Sequence, residues 1–524
     1  MDNLDNNASG RVNSNVNSNV NSPNSHETGS NGGNTVSMEA ADEAFYYDYF
    51  RLCGDVTLHT LRYGKEPRSA LVLIYCGSMA DQKELSQFII PRLEGIGNEL
   101  TSGESGYLAD LTALPLSLVK DEDEWLTVTT RLVFSGQLIV VHLRQNAVYT
   151  MDISDMPGRK PEESAMEPSI KGPRDGFIEN LDTNIALIRK RLRTRSFCVE
   201  LFNKGKRGQT KLALLYMQDI INPDILKEIR GQIELVDQDA VIGTSMVERM
   251  VIGRRLKSLF PVADTTGRAD YVADSLLNGR FVLMSDGSPM ATIAPATLFS
   301  LLKSSEDANM PFHIVSMQRV LRYIGLLISL FLPGFFVGLT SFNLDQVPLP
   351  LLATIANTRQ GLPMPVGLEA FLMLVMFDIF AEAGRRLPRA IGQTVTVVGG
   401  IIIGDASIRA GITSPTVIVM ISISIIASYT LVDPILNGTV AQLRFLILGC
   451  ASFFGLFGFM MAFLLLLVHL SSLEHFGVPY LSPVTPFNPK DFLAGILMRP
   501  SMNRVKRPDV LDPVDQTSGL DRNR

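Results

Sequence analysis

The chain has 524 residues, with 47 Lys and Arg against 53 Asp and Glu, and its formal net charge of −6 gives no indication of nucleic-acid binding. Hydrophobic residues make up 46% of it, and the most apolar runs lie between residues 320 and 470, where several approach the length that crosses a hydrocarbon core of about 30 Å. These numbers exclude a purely soluble protein, and we expect an integral membrane protein with the lipid bilayer as a partner.

Residue types that carry catalysis or hold metals are sparse and scattered. The four cysteines form no CxxC pair, and the six histidines show neither the HExxH motif nor another metal-ligand spacing. No Ser or Cys lies in a nucleophile-elbow context, and GKRGQTK (205–211) lacks the spacing of a phosphate-binding loop. We expect no enzyme activity, no catalytic residue, no cofactor and no metal site.

The first forty residues are rich in Asn, Ser and Gly and contain the repeat NSNV twice in succession. Such a composition buries too little apolar surface to offset the entropy of ordering, so residues 1–40 are predicted to be a disordered tail. The N-terminus has neither the basic region nor the apolar region of a signal peptide. We therefore expect the soluble half to lie in the cytoplasm.

A strand followed by a helix occurs twice between residues 45 and 300. The matching segments are ALVLIYCGSMADQKELSQFIIPRL (70–93) with LALLYMQDIINPDILKEIRGQI (212–233), and SGQLIVV (135–141) with NGRFVLM (278–284). Apolar runs bounded by turn residues indicate strands, and apolar residues at helical spacing follow in the longer pair. We predict two related α/β subdomains, 45–165 and 166–310, the second beginning with a linker helix. Five basic residues at the end of that helix (within 189–195) are predicted to be a solvated helix end or, alternatively, a contact for acidic lipid or a partner.

Four membrane spans are predicted in the second half, at 320–342, 364–381, 414–432 and 445–470. The apolar stretch 391–404 is 14 residues long, too short to cross as a straight helix, and Gly399-Gly400 interrupts it. We predict a re-entrant or pore-lining segment, which membranes tolerate where protein shields the backbone or a cavity is lined. The predicted fold class therefore combines an α/β soluble half with an all-α polytopic membrane domain (315–475), which is followed by a cytoplasmic C-terminal tail (476–524).

Basic residues set the expected orientation of the spans. Arg385, Arg386, Arg389 and the basic tail fall on the same side as the N-terminal half when the chain crosses four times. A full crossing by 391–412 would reverse every later span, and the sequence does not decide between crossing and re-entry. We expect four spans with the soluble half and the tail both in the cytoplasm.

Four motifs, in collinear order between residues 45 and 490, resemble the A subunit of bacterial spore germinant receptors of the GerA type. They are PRDGFIENLDTNIALIRKRL (173–192), FLPGFFVGLTSFNLDQVPLPLL (331–352), EAGRRLPRAIGQTVTVVGGIIIGDASIRAGITSP (382–415) and HLSSLEHFGVPYLSPVTP (469–486). The resemblance implies a subunit that works with a transporter-like B subunit and a lipoprotein C subunit in the inner membrane of the spore. It also implies nutrient sensing by the complex, and an oligomeric, ion-conducting A subunit whose release of monovalent cations starts germination.

A gate is predicted in the stretch 391–404. Thr394, Val398 and Ile402 lie at i, i+4 and i+8 on one helix face, where they would form an apolar constriction in an oligomeric pore. Asp405 would add a ring of carboxylates at one mouth and favour cations. The plainer interpretation is that the apolar residues only pack between subunits and that Asp405 pairs with Arg409.

A hinge is predicted just before this stretch. Glu382 would form charge-assisted pairs with Arg385, Arg386 and Arg389. The plainer interpretation is that these arginines are a positive-inside anchor, which the orientation rule already explains.

Two other classes of function remain open at this point. In a secondary transporter, Glu369, Asp378 and broken helices would coordinate a substrate or a coupling ion. In a non-conducting sensor or scaffold, the paired α/β subdomains would bind a ligand or the partner subunits.

Overall fold

The structure is a computed structural model, and it describes residues 41–63, 68–95, 115–119, 125–155, 171–252, 259–387, 404–498 and 506–518, with the backbone alone at Met250 and Arg385. The predicted disordered tail, residues 1–40, lies outside these ranges. The predicted re-entrant or pore-lining stretch lies outside them as well, except for Gly404.

The N-terminal half contains two five-stranded antiparallel sheets with the same strand order. In the first, the order is β1-β2-β4-β5-β3, and in the second it is β6-β7-β9-β10-β8. The strands are Val56–Arg62, Ala70–Cys76, Ser117–Leu118, Gln137–His142 and Ala147–Asp152 (β1 to β5), and Phe197–Lys204, Thr210–Met217, Asp264–Thr266, Phe281–Ser285 and Ala291–Ala294 (β6 to β10). The segments paired in the sequence thus form β2 with β7 and β4 with β9, at equivalent positions. The predicted α/β character of this half is confirmed.

Helices cover both faces of each sheet, which explains why β2, β4, β7 and β9 contain continuous apolar runs. They are Glu43–Tyr49, Gln82–Glu84, Trp125–Val133, Leu181–Arg189, Pro223–Glu234, Thr244–Val247, Ala269–Leu277 and Leu298–Leu301 (α1 to α8), with π-helical turns at Leu85–Ile89 and Glu248–Ile252 and a 3-10 turn at Ser305–Asn309. In β2, Val72 and Ile74 pack in one buried cluster with Trp125, and Leu71 and Leu73 pack in another on the opposite face.

The C-terminal half is helical, as predicted. Its helices are Phe312–Phe342, Leu349–Thr358, Val366–Arg386, Pro415–Ser428, Pro434–Ser472 and Pro489–Ile496 (α9 to α14), with 3-10 turns at Leu344–Gln346 and Asp509–Leu511 and a two-stranded hairpin of Glu474–His475 (β11) and Val478–Pro479 (β12). Within the described part of the chain, α9 (31 residues) and α13 (39 residues) are long and apolar enough to cross a membrane, and α10 and α12 are shorter apolar helices.

One end of these helices contacts the sheets, and we call it the near end. There, Thr439 donates to the carbonyl of Leu259 (2.7 Å). At the opposite, far end, Gly338 of α9 packs against the backbone of Gly455 in α13. Helix α9 therefore runs from the near end to the far end.

Helix α13 is a hairpin of two arms. Gly455 has φ 61° and ψ −145°, outside the helical range, and Gly458 lies against the carbonyl of Cys450, a contact that a straight helix does not permit. The ring of Phe331 in α9 packs on Phe459 and Phe463 of the second arm, while Gly334 packs on Ile447 of the first. The prediction of a single span at 445–470 is therefore wrong, because the chain reverses at Gly455.

Helices α11 and α12 run in the same direction. They begin side by side at the far end, where the backbone N–H of Ser414 donates to Glu369 (3.1 Å). Near its other end α12 meets the near-end part of α9, since Ser424 donates to the carbonyl of Ser329 (2.8 Å) and Ala427 lies beside Gly325. The predicted span 414–432 thus runs opposite to the expected direction, and the count of four spans is not confirmed.

The tail returns to the second sheet. Arg507 donates to the carbonyl of Leu277 (2.7 Å), the N–H of Val514 donates to the carbonyl of Ile220 (2.9 Å), and Leu511 is buried. The tail and the sheets therefore lie at the same end of the helices.

Candidate functional site in the helical half

The predicted gate is described only at its edge. Thr394, Val398 and Ile402 lie outside the described residues. Asp405 pairs with Arg409 (2.8 Å), as the plainer interpretation expected, and the two side chains are 59% and 79% exposed. An exposed pair of this kind contributes a few tenths of a kcal/mol, so the Asp405 carboxylate is only weakly held.

The predicted hinge contains one described ion pair. Arg386 donates to Glu382 (2.8 Å), while Arg389 and the side chain of Arg385 lie outside the description. Asp378, Glu382 and Arg386 are spaced at i, i+4 and i+8, so they form a polar stripe along α11. The stripe lines an opening of about 450 Å³ together with Phe445.

A buried arginine that the sequence analysis missed lies next to this stripe. Arg444, in the first arm of α13, is 2% exposed and donates to Asp378 through one nitrogen (3.1 Å). Its other two nitrogens, Nε and Nη1, have no hydrogen-bond partner. A buried charge among apolar helices is costly, so Arg444 is a candidate functional residue. Its signal in the sequence was a single basic residue in the apolar run 434–454, just before the predicted start of the span at 445.

Glu369, the second carboxylate considered as a transporter ligand, accepts hydrogen bonds on both of its oxygens. Glu369 is 0% exposed and accepts hydrogen bonds from Arg359 (3.2 Å) and from the backbone and hydroxyl of Ser414 (3.1 and 3.2 Å). It therefore satisfies donors at the start of α12, where a negative charge also complements the helix dipole.

Buried ion pairs connect the sheets to the first long helix. Asp307 accepts from Arg319 (2.8 Å) and Arg322 (3.1 Å), and both carboxylate and guanidinium groups are almost fully buried. Just before it in the chain, Glu306 pairs with Arg268. Because separating a desolvated pair leaves a buried charge without compensation, these contacts couple the position of α9 to the second sheet.

Burial raises the pKa of three acidic or phenolic groups, Glu248, Asp433 and Tyr480, near the contact between the second sheet and the hairpin. Asp433 precedes α13, and one of its oxygens accepts from the N–H of Leu436 (2.7 Å) while the other has no partner. Burial and the charge of Asp433 raise the pKa of Glu248 to about 7. Burial, and then the charge of Asp433, also raise the pKa of Tyr480, whose hydroxyl has no hydrogen bond. Within the described ranges, no group of three or more His, Cys, Asp and Glu side chains is arranged to hold a metal.

Sheets, buried charges and apolar helices together define a membrane protein with a large α/β portion at one end of its helices. The family model "Bacillus/Clostridium GerA spore germination protein" matches residues 46–510. The chain belongs to the GerA family of spore germination proteins, as its motifs indicated.

The chain is similar to individual proteins and to one solved structure. The chain is 36% identical to spore germination protein XA of Bacillus anthracis, over 91% of this chain and 96% of the relative. It is 35% identical to the uncharacterized membrane protein YfkQ of Bacillus subtilis (strain 168), over 67% and 68%. It is also similar, at 21% identity over 49% of this chain and 93% of the other, to the crystal structure of the N-terminal domain of the A subunit of the Bacillus megaterium spore germinant receptor GerK3, with a TM-score of 0.35.

Proposed function

We propose that this protein is the oligomeric, ion-conducting subunit of a nutrient-sensing germinant receptor that releases monovalent cations. Family membership gives its role in spore germination. The proposal adds partners, a B subunit of transporter type and a lipoprotein C subunit, and a location in the spore inner membrane with the sheets in the cytoplasm. The lack of charged residues in 391–404 suits a conducting segment better than a soluble loop.

The observation that carries this proposal is the parallel course of α11 and α12. Helix α11 ends toward the near end, whereas Gly411 lies beside Leu362 at the far end. The described residues that precede and follow this stretch, Leu387 and Gly411, therefore lie toward opposite ends of the helices. A straight helix of 14 residues is about 21 Å long and does not cover a hydrocarbon core of about 30 Å. The opposite positions of the flanking residues, and not the length of 391–404, therefore support a segment that passes through the layer over one that dips into it.

The same geometry supports an arrangement of the two ends of the proposed pore. Asp405 lies close in sequence to Ser414 at the far end, so its carboxylates would ring the far mouth. Thr394, Val398 and Ile402 would then form the constriction behind that mouth. In the competing transporter, Glu369 and Asp378 would bind the substrate, but each of them already holds an arginine.

Cation flux through the purified full-length chain in liposomes tests the proposal. We expect potassium efflux that exceeds chloride efflux, a higher leak in Val398→Ala and Ile402→Ala because the apolar constriction widens, and weaker cation preference in Asp405→Asn. Val468→Ala, a lipid-exposed site of the same residue type (67% exposed), is the matched control and should leave the flux unchanged.

Two outcomes would overturn the proposal. Flux that depends on a gradient of nutrient and saturates with it would indicate a transporter. A chain that conducts nothing, alone or with its B and C subunits, while still binding nutrient would indicate a sensor.

A further inference from the structure

The start of α9, at the near end, has its arginines on the inner side and apolar residues on the outer side. Arg319 and Arg322 pair with the buried carboxylate of Asp307 (2.8 and 3.1 Å). The other side of the helix exposes large apolar residues at spacings of three and four, namely Ile314, Met317, Leu321 and Ile324. A helix surface in contact with water normally has the reverse arrangement.

The length of α9 places its start at the level of the lipid headgroups. The helix has 31 residues and is about 46 Å long, whereas the hydrocarbon core is about 30 Å thick and the bilayer with its headgroups about 40–45 Å. Phe335 and Phe342, toward the far end, are still exposed and apolar. The part of α9 that exceeds the core therefore falls at its start, where Ile314 and Met317 lie.

Helix α14 joins the start of α9 to the sheet half. The N–H of Met498, just after α14, donates to the hydroxyl of Ser316 (3.0 Å), so the helix ends beside the start of α9. On its inner face, the ring of Phe492 contacts the ring of Phe299 in α8 (5.9 Å between centroids), and Gly495 lies against the same ring. Helix α14 is therefore held against both parts of the fold.

The outer face of α14 continues the outer surface of α9. Leu493 and Leu497 are exposed, and Lys490 lies on the same face at a spacing of three and seven residues from them. Phe487, just before the helix, is exposed as well. Apolar residues with a basic residue among them are typical of a helix that lies in the plane of a membrane surface.

We propose that α14 and the start of α9 together form a surface that lies in the headgroup layer of the membrane leaflet at the near end. Lipid is the occupant that continuity supports, because Ile314 and Met317 extend the exposed apolar stripe of the long helix α9 beyond the core. The surface does not rest on the proposed conduction. Since the inner face of α14 packs on α8, the surface would hold the second sheet at a fixed height above this leaflet.

Quenching of tryptophan emission by brominated lipid tests the surface directly. The full-length chain has one tryptophan, the buried Trp125, so Trp125→Phe provides a background in which a new tryptophan is the only one. In liposomes whose lipids carry bromine near the headgroup end of the acyl chains, Leu493→Trp should lose about half of its emission or more, because an interfacial helix buries its apolar face to that depth. Bromine near the methyl end should quench it less.

Two positions in the same background serve as controls. Leu464→Trp, at an exposed site in the second arm of α13, should be quenched more strongly by bromine near the methyl end. Phe88→Trp, at an exposed site beside the first sheet (65% exposed), should keep its emission with both lipids. Iodide, a quencher that stays in water, should reach Phe88→Trp and leave Leu493→Trp largely unquenched.

Either of two results would overturn the proposed surface. Iodide quenching of Leu493→Trp as strong as that of Phe88→Trp would show that the outer face of α14 is in water. Protection of Leu493→Trp from both iodide and brominated lipid would show that protein covers this face, either a second copy of the chain or another segment of the same one.

Discussion

Arg189 shows how one residue can join two parts of a fold. It lies in the basic cluster predicted to be a solvated helix end, yet it is 0% exposed and donates to both oxygens of Asp55 (2.8 and 2.7 Å). Its guanidinium also stacks on the rings of Phe134 and Phe197, at 4.1 and 4.3 Å from their centroids. For this member of the cluster the prediction is wrong, because an arginine that finds a bidentate carboxylate and two aromatic faces can be desolvated.

Asp55→Asn should lower the free energy of unfolding by about 3–5 kcal/mol, because it leaves the Arg189 charge buried without its partner. Asp237→Asn, in an ion pair whose side chains are about 70% exposed, should change it by less than about 0.5 kcal/mol. Urea unfolding of the full-length chain in detergent measures both. Equal effects from the two substitutions would show that Asp55 contributes no more than a surface charge.

At the scale of elements, the hairpin of α13 accounts for the main error in the predicted topology. The apolar run through 445–470 offers no polar turn, and glycine is common inside membrane helices, so Gly455 carried no signal. Its conformation depends on long-range packing against α9, where the ring of Phe342 occupies the space that a Cβ would need.

Gly455→Ala should lower the free energy of unfolding by about 1–3 kcal/mol, because the φ of 61° and ψ of −145° at this position suit glycine alone. The added methyl group would also meet Phe342. Gly449→Ala is the matched control. It lies in the same hairpin with open space around its Cβ, so alanine there should be neutral or stabilise by up to about 1 kcal/mol. Heat unfolding in detergent compares the two, and a tolerated Gly455→Ala would contradict the hairpin.

Elements that the sequence predicted well are those whose pattern is local. Alternation and apolar runs located β2, β4, β7 and β9, and helical spacing located the buried face of α5 with Ile225, Ile229 and Ile233. The pairs Asp378–Arg444 and Asp55–Arg189 could not be predicted, because they join residues far apart in the chain whose proximity only packing decides.

At the scale of the whole molecule, the second sheet and the helices share one core. A single buried cluster continues from Leu214 and Phe281 of the second sheet through Leu436 and Leu470 of the hairpin to Leu511 of the tail. A displacement of the second sheet would therefore reach the hairpin through direct contacts, which is what a receptor that senses at one part and responds at another requires.

Membrane orientation can be checked by labelling single cysteines with an impermeant maleimide, in a background without native cysteines. Asp237→Cys and Val514→Cys should react from one face of the membrane, because the sheets and the tail lie at the near end. Gln346→Cys should react from the other face, because the 3-10 turn Leu344–Gln346 follows α9 at the far end. Reaction of all three from the same face would exclude α9 as a membrane span.

The tip of the hairpin determines which surface the far end of the protein presents to solvent. Phe453, Phe454 and Phe457 are 79%, 68% and 72% exposed around the reversal at Gly455, and no polar loop joins the two arms. During biosynthesis both arms can therefore enter the lipid together, since no hydrophilic segment has to be translocated between them. In a membrane that α9 crosses, the exposed phenylalanines of the tip face acyl chains, so a soluble ligand, an antibody or a protease arriving from the far side meets α10 and its flanking turns instead.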